Sequence, residues 1–169
     1  MTYCLDTNTL IHAWNFWYKQ HTHPSLWAAF ETLGRSGTLK IPEQVYDEIQ
    51  QKDDHLAAWC QKRKTPLVYE ATDATEAEYA RLVKHYPMMA GGLGLGNDYA
   101  DLYVVAVASV NDATVVTNED RGFFQSPNMR TGRSRKNYTI MNVCFEEDVD
   151  VIRGYSILDQ EGWVFHHDS

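Results

Sequence analysis

Acidic residues lie at the ends of four separate apolar segments of the chain. Asp6 follows TYCL, Glu48 lies in IPEQVYDEI, Asp101 begins DLYVVAVA, and Glu119 and Asp120 follow ATVVTN. An α/β fold would bring such residues together, and two carboxylates about 4 Å apart repel by roughly 4 kcal/mol at an effective dielectric near 20. A cluster of this kind persists only when it is protonated or holds a cation. The pattern therefore predicts a metal-dependent phosphodiesterase site.

Helix geometry distinguishes Glu48 from its neighbour. At about 100° per residue, Val45 and Ile49 define the buried stripe of a helix that begins near Glu43. Glu48 lies roughly 80° from the centre of that stripe, whereas Asp47 lies roughly opposite. We therefore expect Glu48 to reach inward and Asp47 to face water.

Asp98 and Asp101 lie one turn apart at the start of an apolar helix predicted from about Asp98 to Val110. Both fall on the side of Val105 and Ala108, which is expected to face the sheet. They also lie at the helix N-terminus, where the helix dipole stabilises negative charge. We therefore add Asp98 to the candidate metal ligands.

Each acid also has a purely structural interpretation. Asp98 with Asp101 fits a helix cap followed by an acid three residues later, and Glu48 fits a solvated helix residue. Asp6 is harder to explain in this way, because an acid that ends a buried strand is costly without a partner. The metal hypothesis depends on the four positions occurring together.

Two polar residues are candidates for support of the acids. Thr117 is expected to cap the turn after its strand and to orient the following acid through its hydroxyl. Asn8 is placed to donate to Asp6 or to a metal-bound water. Both also fit simple turn formation, and the sequence does not choose between Glu119 and Asp120 as the fourth acid.

The elements that must position these residues alternate between strands and helices. Short strands are predicted at residues 2–5, 39–41, 66–69, 113–117 and 149–152, with helices between them. This order predicts an α/β fold with a mostly parallel central sheet of four to five strands, flanked by helices on both faces. Ligands of such sheets bind beyond the carboxyl ends of the strands, at a topological switch point.

Composition limits the class of protein. A chain of 169 residues with 44% hydrophobic content predicts one domain over residues 1–169. No signal peptide and no run of about 18 apolar residues is found, so we expect a cytoplasmic protein without a membrane partner. Cys4, Cys60 and Cys144 lack metal-binding spacing and are expected to be reduced, buried thiols.

Charge does not identify the substrate. The net charge of −8 argues against broad electrostatic binding of nucleic acid, but bound divalent ions would reverse the local sign. A basic loop is predicted near residues 121–137, and its cations are candidates for RNA backbone contacts: Arg130, Arg133, Arg135 and Lys136. A merely solvated loop is the alternative.

The motifs LDTNTLI, IPEQVYDEI, ADLYVVAVA and VVTNED, in this order, resemble those of the PIN-domain superfamily, and in particular its VapC-like toxin ribonucleases. The ending NYTIMNVCFEEDVDVI resembles that of a prokaryotic PIN-like branch. The resemblance implies a Mg²⁺- or Mn²⁺-dependent endoribonuclease with Asp6, Glu48, Asp101 and an acid within residues 117–120 at the site. It also implies a neutralising antitoxin as partner.

The sequence also leaves two other functions open, a phosphatase and an inactive binding module. LDTNT resembles the D-x-D-x-T pattern of aspartate-nucleophile phosphatases, with Asp6 as nucleophile, but Asn8 replaces the general acid. An inactive PIN-like module would keep the acids as caps and would bind a protein through the aromatic residues Trp14, Phe16, Trp17 and Tyr18. The same residues would also suit the core, base stacking or a homodimer.

Overall fold

The structure, a computed structural model, describes residues 1–52, 54–87, 89, 99–119 and 139–164. Within these ranges one five-stranded sheet is formed, with all neighbouring strands parallel. Its strands are β1 (Tyr3–Leu5), β2 (Leu39–Pro42), β3 (Val68–Tyr69), β4 (Thr114–Val116) and β5 (Val151–Ile152). The prediction of an α/β fold with a parallel sheet is confirmed.

Helices connect the strands. They are α1 (Thr7–His12), α2 (Pro24–Arg35), α3 (Glu43–Gln50), α4 (His55–Gln61), α5 (Lys64–Leu67), α6 (Asp73–His85), α7 (Tyr99–Val110), α8 (Ile140–Glu146) and α9 (Ser156–Gln160). None of the helices within the described ranges is both long and apolar enough to cross a membrane.

The strand order is β3-β2-β1-β4-β5, so β1 is the central strand. From β1 the chain builds the sheet first toward β3 and later, on the other side, toward β5. Right-handed crossovers in the two directions place their helices on opposite faces. The reversal of direction between β1 and β4 is the topological switch point of the sheet.

The core forms around β1, β4 and α7. Every residue of β1 and β4 is buried, and α7 is buried continuously from Leu102 to Ala108. An almost uniformly apolar helix requires cover on several sides. Helices α6 and α8 and the strands of the sheet pack against α7 and bury it. These contacts hold the first turn of α7 beside the sheet.

One expected strand needs correction. Residues 66–69 were expected to form a strand, but Lys64–Leu67 is helical and only Val68–Tyr69 pairs with β2. Pro66 has no N–H to donate to a sheet ladder, whereas the first turn of a helix tolerates it.

The helix after β1 also departs from a regular α-helix. Beyond His12 it continues as a π-helical turn, Ala13–Trp17, in which the Tyr18 N–H donates to the Ala13 carbonyl at 2.8 Å. The wider turn changes the direction of the side chains that follow it. As a result Phe16 and Trp17 are 69% and 44% exposed, so they do not belong to the core.

Candidate active site at the switch point of the sheet

Asp6 and Thr117 lie side by side where the sheet reverses direction. Asp6 follows β1, Thr117 follows β4, and the two strands pair in parallel from Tyr3 to Leu5. The Asp6 N–H donates to the Val116 carbonyl at 3.0 Å, so the ladder extends one residue beyond β1. The carboxylate of Asp6 is thereby held at the carboxyl edge of the two central strands, where α/β sheets bind their ligands.

The Asp6 carboxyl group is almost completely buried, with 1% of the residue exposed. Its Oδ2 accepts a hydrogen bond from the Thr117 hydroxyl at 2.8 Å. Burial raises the pKa of Asp6 above its ordinary value and the negative charge of Glu48 adds to that effect, while Thr117 and the N–H groups of Thr7 and Asn8 act against it. The protein thus holds an acid whose ionised form needs further positive charge.

Glu48 is the second acid of the site. It lies half-buried on α3, and its Oε2 accepts a hydrogen bond from the Thr7 hydroxyl at 2.6 Å. Thr7 begins α1 immediately after Asp6, so this bond ties the first turn of α1 to α3. The inward position expected for Glu48 and the exposure expected for Asp47 are both observed.

Asp101 lies half-buried in the first turn of α7. Burial raises the pKa of the Cys144 thiol on α8, and the charges of Asp101 and Asp6, in that order, raise it further. Glu48, in turn, is among the charges that raise the pKa of Asp6. Asp101 therefore remains a candidate for the third acid.

The loop after β4 is held in place by its polar side chains. Thr117 Oγ1 accepts the Glu119 N–H at 3.2 Å while its hydroxyl donates to Asp6. The turn cap expected of Thr117 is therefore observed at the backbone of Glu119, and the same hydroxyl also orients Asp6, the acid of the neighbouring strand. Glu119 itself is half-buried.

Asn118 connects the site to the turn before α9. Its Oδ1 accepts the Gly154 N–H at 3.0 Å, and its buried Nδ2 has no hydrogen-bond partner within the described ranges. A Cβ on Gly154 would lie 3.0 Å from Thr9 Cγ2 and 3.1 Å from Asn118 Nδ2. Glycine allows this close approach, whereas a larger residue would push Thr9 or Asn118 by a few tenths of an ångström.

Sequence reasoning missed two hydroxyl contacts. Thr7 donates to the Glu48 carboxylate and so joins α1 to α3. Thr9 donates to the Val116 carbonyl at 2.9 Å and so joins α1 to β4. Both signals were present in the sequence, because a threonine directly after a strand-end acid can reach a neighbouring element, but the partner depends on tertiary structure.

The candidate acids fit a divalent cation in their chemistry, but those within the described ranges do not enclose one. Their oxygen atoms suit Mg²⁺ or Mn²⁺, and the raised pKa of Asp6 fits a group that a cation would stabilise as a carboxylate. No three His, Cys, Asp or Glu residues within the described ranges lie close enough to enclose an ion. Other candidates lie outside the described residues: Asp98, Asp120, Arg130, Arg133, Arg135 and Lys136.

The three cysteines do not compete with this site. Cys4, Cys60 and Cys144 are free and buried, as expected. Burial raises the pKa of Cys60 to about 12, and it raises those of Cys4 and Cys144 as well. Thiols of this kind remain protonated and are poor nucleophiles and metal ligands.

A five-stranded parallel sheet with acids at its central switch point defines an α/β protein with a PIN-like fold of the VapC type. The fold is similar to that of a chain in "Crystal structure of VapBC2 from Rickettsia felis bound to a DNA fragment from their promoter". The two chains share 21% identity over 90% of this chain and 98% of the other, with a TM-score of 0.51. The PIN resemblance seen in the motifs is thus confirmed for the fold.

The chain belongs to the family described as "Domain of unknown function (DUF4411)", whose model matches residues 3–165. No curated protein matches the sequence.

Proposed function

We propose that the protein is a Mg²⁺- or Mn²⁺-dependent endoribonuclease and the toxin of a toxin-antitoxin pair. The observation that carries the proposal is the buried Asp6 carboxyl group at the switch point, with Glu48 close enough to raise its pKa. A buried acid beside a second, half-buried acid has a high free energy unless it is protonated or the pair binds a cation. The PIN-like fold and the VapBC2 complex that resembles it support an antitoxin partner.

Asp6, Glu48 and Asp101 would hold the ion, together with Asp98, Glu119 or Asp120. A bound divalent ion lowers the pKa of an attacking water and stabilises the leaving oxygen of a phosphodiester. Thr117 keeps the Asp6 carboxylate turned toward the edge of the sheet, and Thr7 does the same for Glu48. No side-chain nucleophile is needed. Arg130, Arg133, Arg135 and Lys136 are proposed to bind the RNA backbone away from the cut.

The decisive experiment incubates the purified protein with mixed RNA and with single-stranded DNA, in Mn²⁺ or in chelator. We expect chelator-sensitive cutting of RNA, reduced at least roughly a hundredfold in Asp6→Asn and Asp101→Asn. Asp47→Asn is the matched control, because it removes one carboxylate from the exposed face of α3. Equal cutting by Asp6→Asn would contradict the proposal, and cutting of DNA alone would contradict the choice of RNA.

One observation favours a second candidate, an inactive PIN-like binding module. The described acids do not by themselves form a group of three potential ligands. Calorimetry with Mn²⁺ separates the two functions, since the nuclease predicts heat that depends on Asp6 and the module predicts none. The phosphatase alternative has less support, because Asn8, which stands where that mechanism needs an acid, is exposed.

A further inference from the structure

A second concave site lies away from the acids, between the π-helical turn and α4. This cavity has a volume of about 520 Å³. Trp14 and Trp59 supply its aromatic surface, and His21, His55, Lys62 and Arg63 supply its nitrogen donors. None of its lining residues is acidic, although the protein carries a net charge of −8. A cavity with this lining selects an anion.

The cavity lies beyond the far ends of α1 and α3, the two helices that begin near Asp6 and carry Glu48, respectively. Trp14 lies eight residues beyond Asp6 along α1 and its π-helical continuation, which is about 12 Å at 1.5 Å per residue. His55 follows the end of α3, the helix that carries Glu48. The cavity is therefore a separate site, on the side of the molecule to which both helices lead.

Arg63 is held in a fixed orientation at the wall of the cavity. Its guanidinium carbon lies 4.8 Å from the centre of the Trp59 ring, and its Nε donates to Glu31 at 2.6 Å. A further N–H group donates to the Trp59 carbonyl at 3.5 Å. Because a guanidinium group has five N–H donors, three remain for a ligand once these contacts within the described ranges are counted.

Lys62 provides a charge that no described acid neutralises. Its side chain is exposed, and it forms no ion pair within the described ranges. Glu31, by contrast, is shared between Arg35 and Arg63. A flexible ammonium group beside a fixed guanidinium group is a common arrangement for phosphate binding.

The aromatic part of the cavity is preorganised. The Trp59 ring packs 5.0 Å from Trp27 and 6.3 Å from Trp14, and Trp14 packs 4.7 Å from Trp27. Trp59 is buried, whereas Trp14 keeps part of its surface exposed. Trp14, which is only partly exposed and is held by its neighbouring rings, provides an aromatic surface in the cavity for a planar ring.

We propose that this cavity binds a nucleotide, with the phosphate on Lys62 and Arg63 and the base against Trp14. Neither the cations nor the aromatic surface alone would select a nucleotide. Together they match both its phosphate and its base. The nucleotide has two sources, a free mononucleotide or one unit of a single-stranded RNA. In the second case the site extends the RNA path of the proposed nuclease, and that reading rests on the proposed function.

The test measures binding in chelator, so that no cleavage is required. Tryptophan fluorescence is titrated with adenosine 5′-monophosphate and, separately, with a short oligoadenylate RNA. We expect Lys62→Gln to weaken binding roughly tenfold, because it removes a charge-assisted contact to phosphate. Lys52→Gln is the matched control, since Lys52 is also exposed but does not line the cavity. It should leave the affinity unchanged.

The results with the mononucleotide, the RNA and a polyglutamate peptide distinguish the possible ligands of the cavity. Binding of the mononucleotide, of the RNA or of both, weakened by Lys62→Gln alone, supports the site and identifies the source. No binding of either, or equal binding by wild type and Lys62→Gln, overturns it. Binding of a polyglutamate peptide in their place also overturns it, in favour of an acidic protein partner. RNA cutting without nucleotide binding would contradict this inference only, and nucleotide binding without RNA cutting would contradict only the nuclease.

Discussion

At the scale of single residues, two threonine hydroxyls determine how the acids are presented. Thr117 donates to Asp6, and Thr7 donates to Glu48. The sequence singled out Asp6, because a carboxylate that ends a buried strand is unusual, and helix geometry singled out Glu48. The sequence could not predict their partners, since Thr117 and Asp6 are 111 residues apart and meet only when β1 pairs with β4.

The burial of Asp6 predicts a pH dependence of stability. Its folded pKa is raised, first by burial and also by Glu48, above the unfolded value of about 3.9. A raised pKa contributes stability that is complete below the unfolded pKa and is lost as the pH rises through the folded pKa. The metal-free protein should therefore lose unfolding free energy above about pH 4, by about 1.4 kcal/mol for each unit by which the pKa is raised.

Asp6→Asn tests this expectation. It keeps an oxygen that can accept the Thr117 hydroxyl and removes the ionisation, so its stability relative to wild type should increase with pH. Urea unfolding in chelator at pH 5 and pH 8 gives both values, with Asp47→Asn as the exposed control. The same difference between Asp6→Asn and wild type at both pH values would show that Asp6 keeps an ordinary pKa.

At the scale of elements, close packing between α2 and α5 depends on Gly34. A Cβ at this position would lie 2.4 Å from Leu67 Cδ2 and 3.0 Å from the Pro66 carbonyl oxygen. Leu67 is buried and has little room to move. The short helix α5, which takes the place of the first half of the strand expected at residues 66–69, is thus fitted to a glycine on its neighbour.

We expect Gly34→Ala to reduce the free energy of unfolding by about 1–3 kcal/mol, as overpacking of a core does, even though alanine favours helix more than glycine. In urea unfolding experiments, Leu67→Ala should relieve part of that loss. The double variant should therefore be less destabilised than the sum of the two single variants. Strict additivity would mean that the two positions do not compete for space.

The elements also show where sequence reasoning succeeds and where it fails. The apolar run of α7 and the buried strand β4 were predicted nearly to the residue. Their sequences are mostly apolar, and such segments are stable only when they are buried in the core. The helix at residues 64–67 was missed because a four-residue segment has no periodicity to read. The π-helical turn was missed because it is defined by a backbone hydrogen bond, from the Tyr18 N–H to the Ala13 carbonyl, that the apolar pattern of the sequence does not reveal.

At the scale of the whole molecule, a site for a divalent ion should make stability depend on metal. An ion that binds only the folded protein adds about 2.7 kcal/mol at one hundred times its Kd. For a chain of 169 residues this corresponds to a rise of roughly 5–10 °C in Tm. Thermal unfolding with and without Mn²⁺ should show this rise in wild type and in Asp47→Asn, and no rise in Asp6→Asn. An equal rise in Asp6→Asn would place the ion elsewhere.

The order of the strands has a consequence for biosynthesis. The carboxylate of Asp6 is synthesised 111 residues before the hydroxyl that holds it. At 5–20 residues per second, the ribosome needs roughly 5–20 s to cover that interval. Until β4 emerges, one edge of β1 has no partner, and the Asp6 carboxylate lacks its hydrogen bond from Thr117. The switch point of the sheet is therefore completed only after β4 has been synthesised.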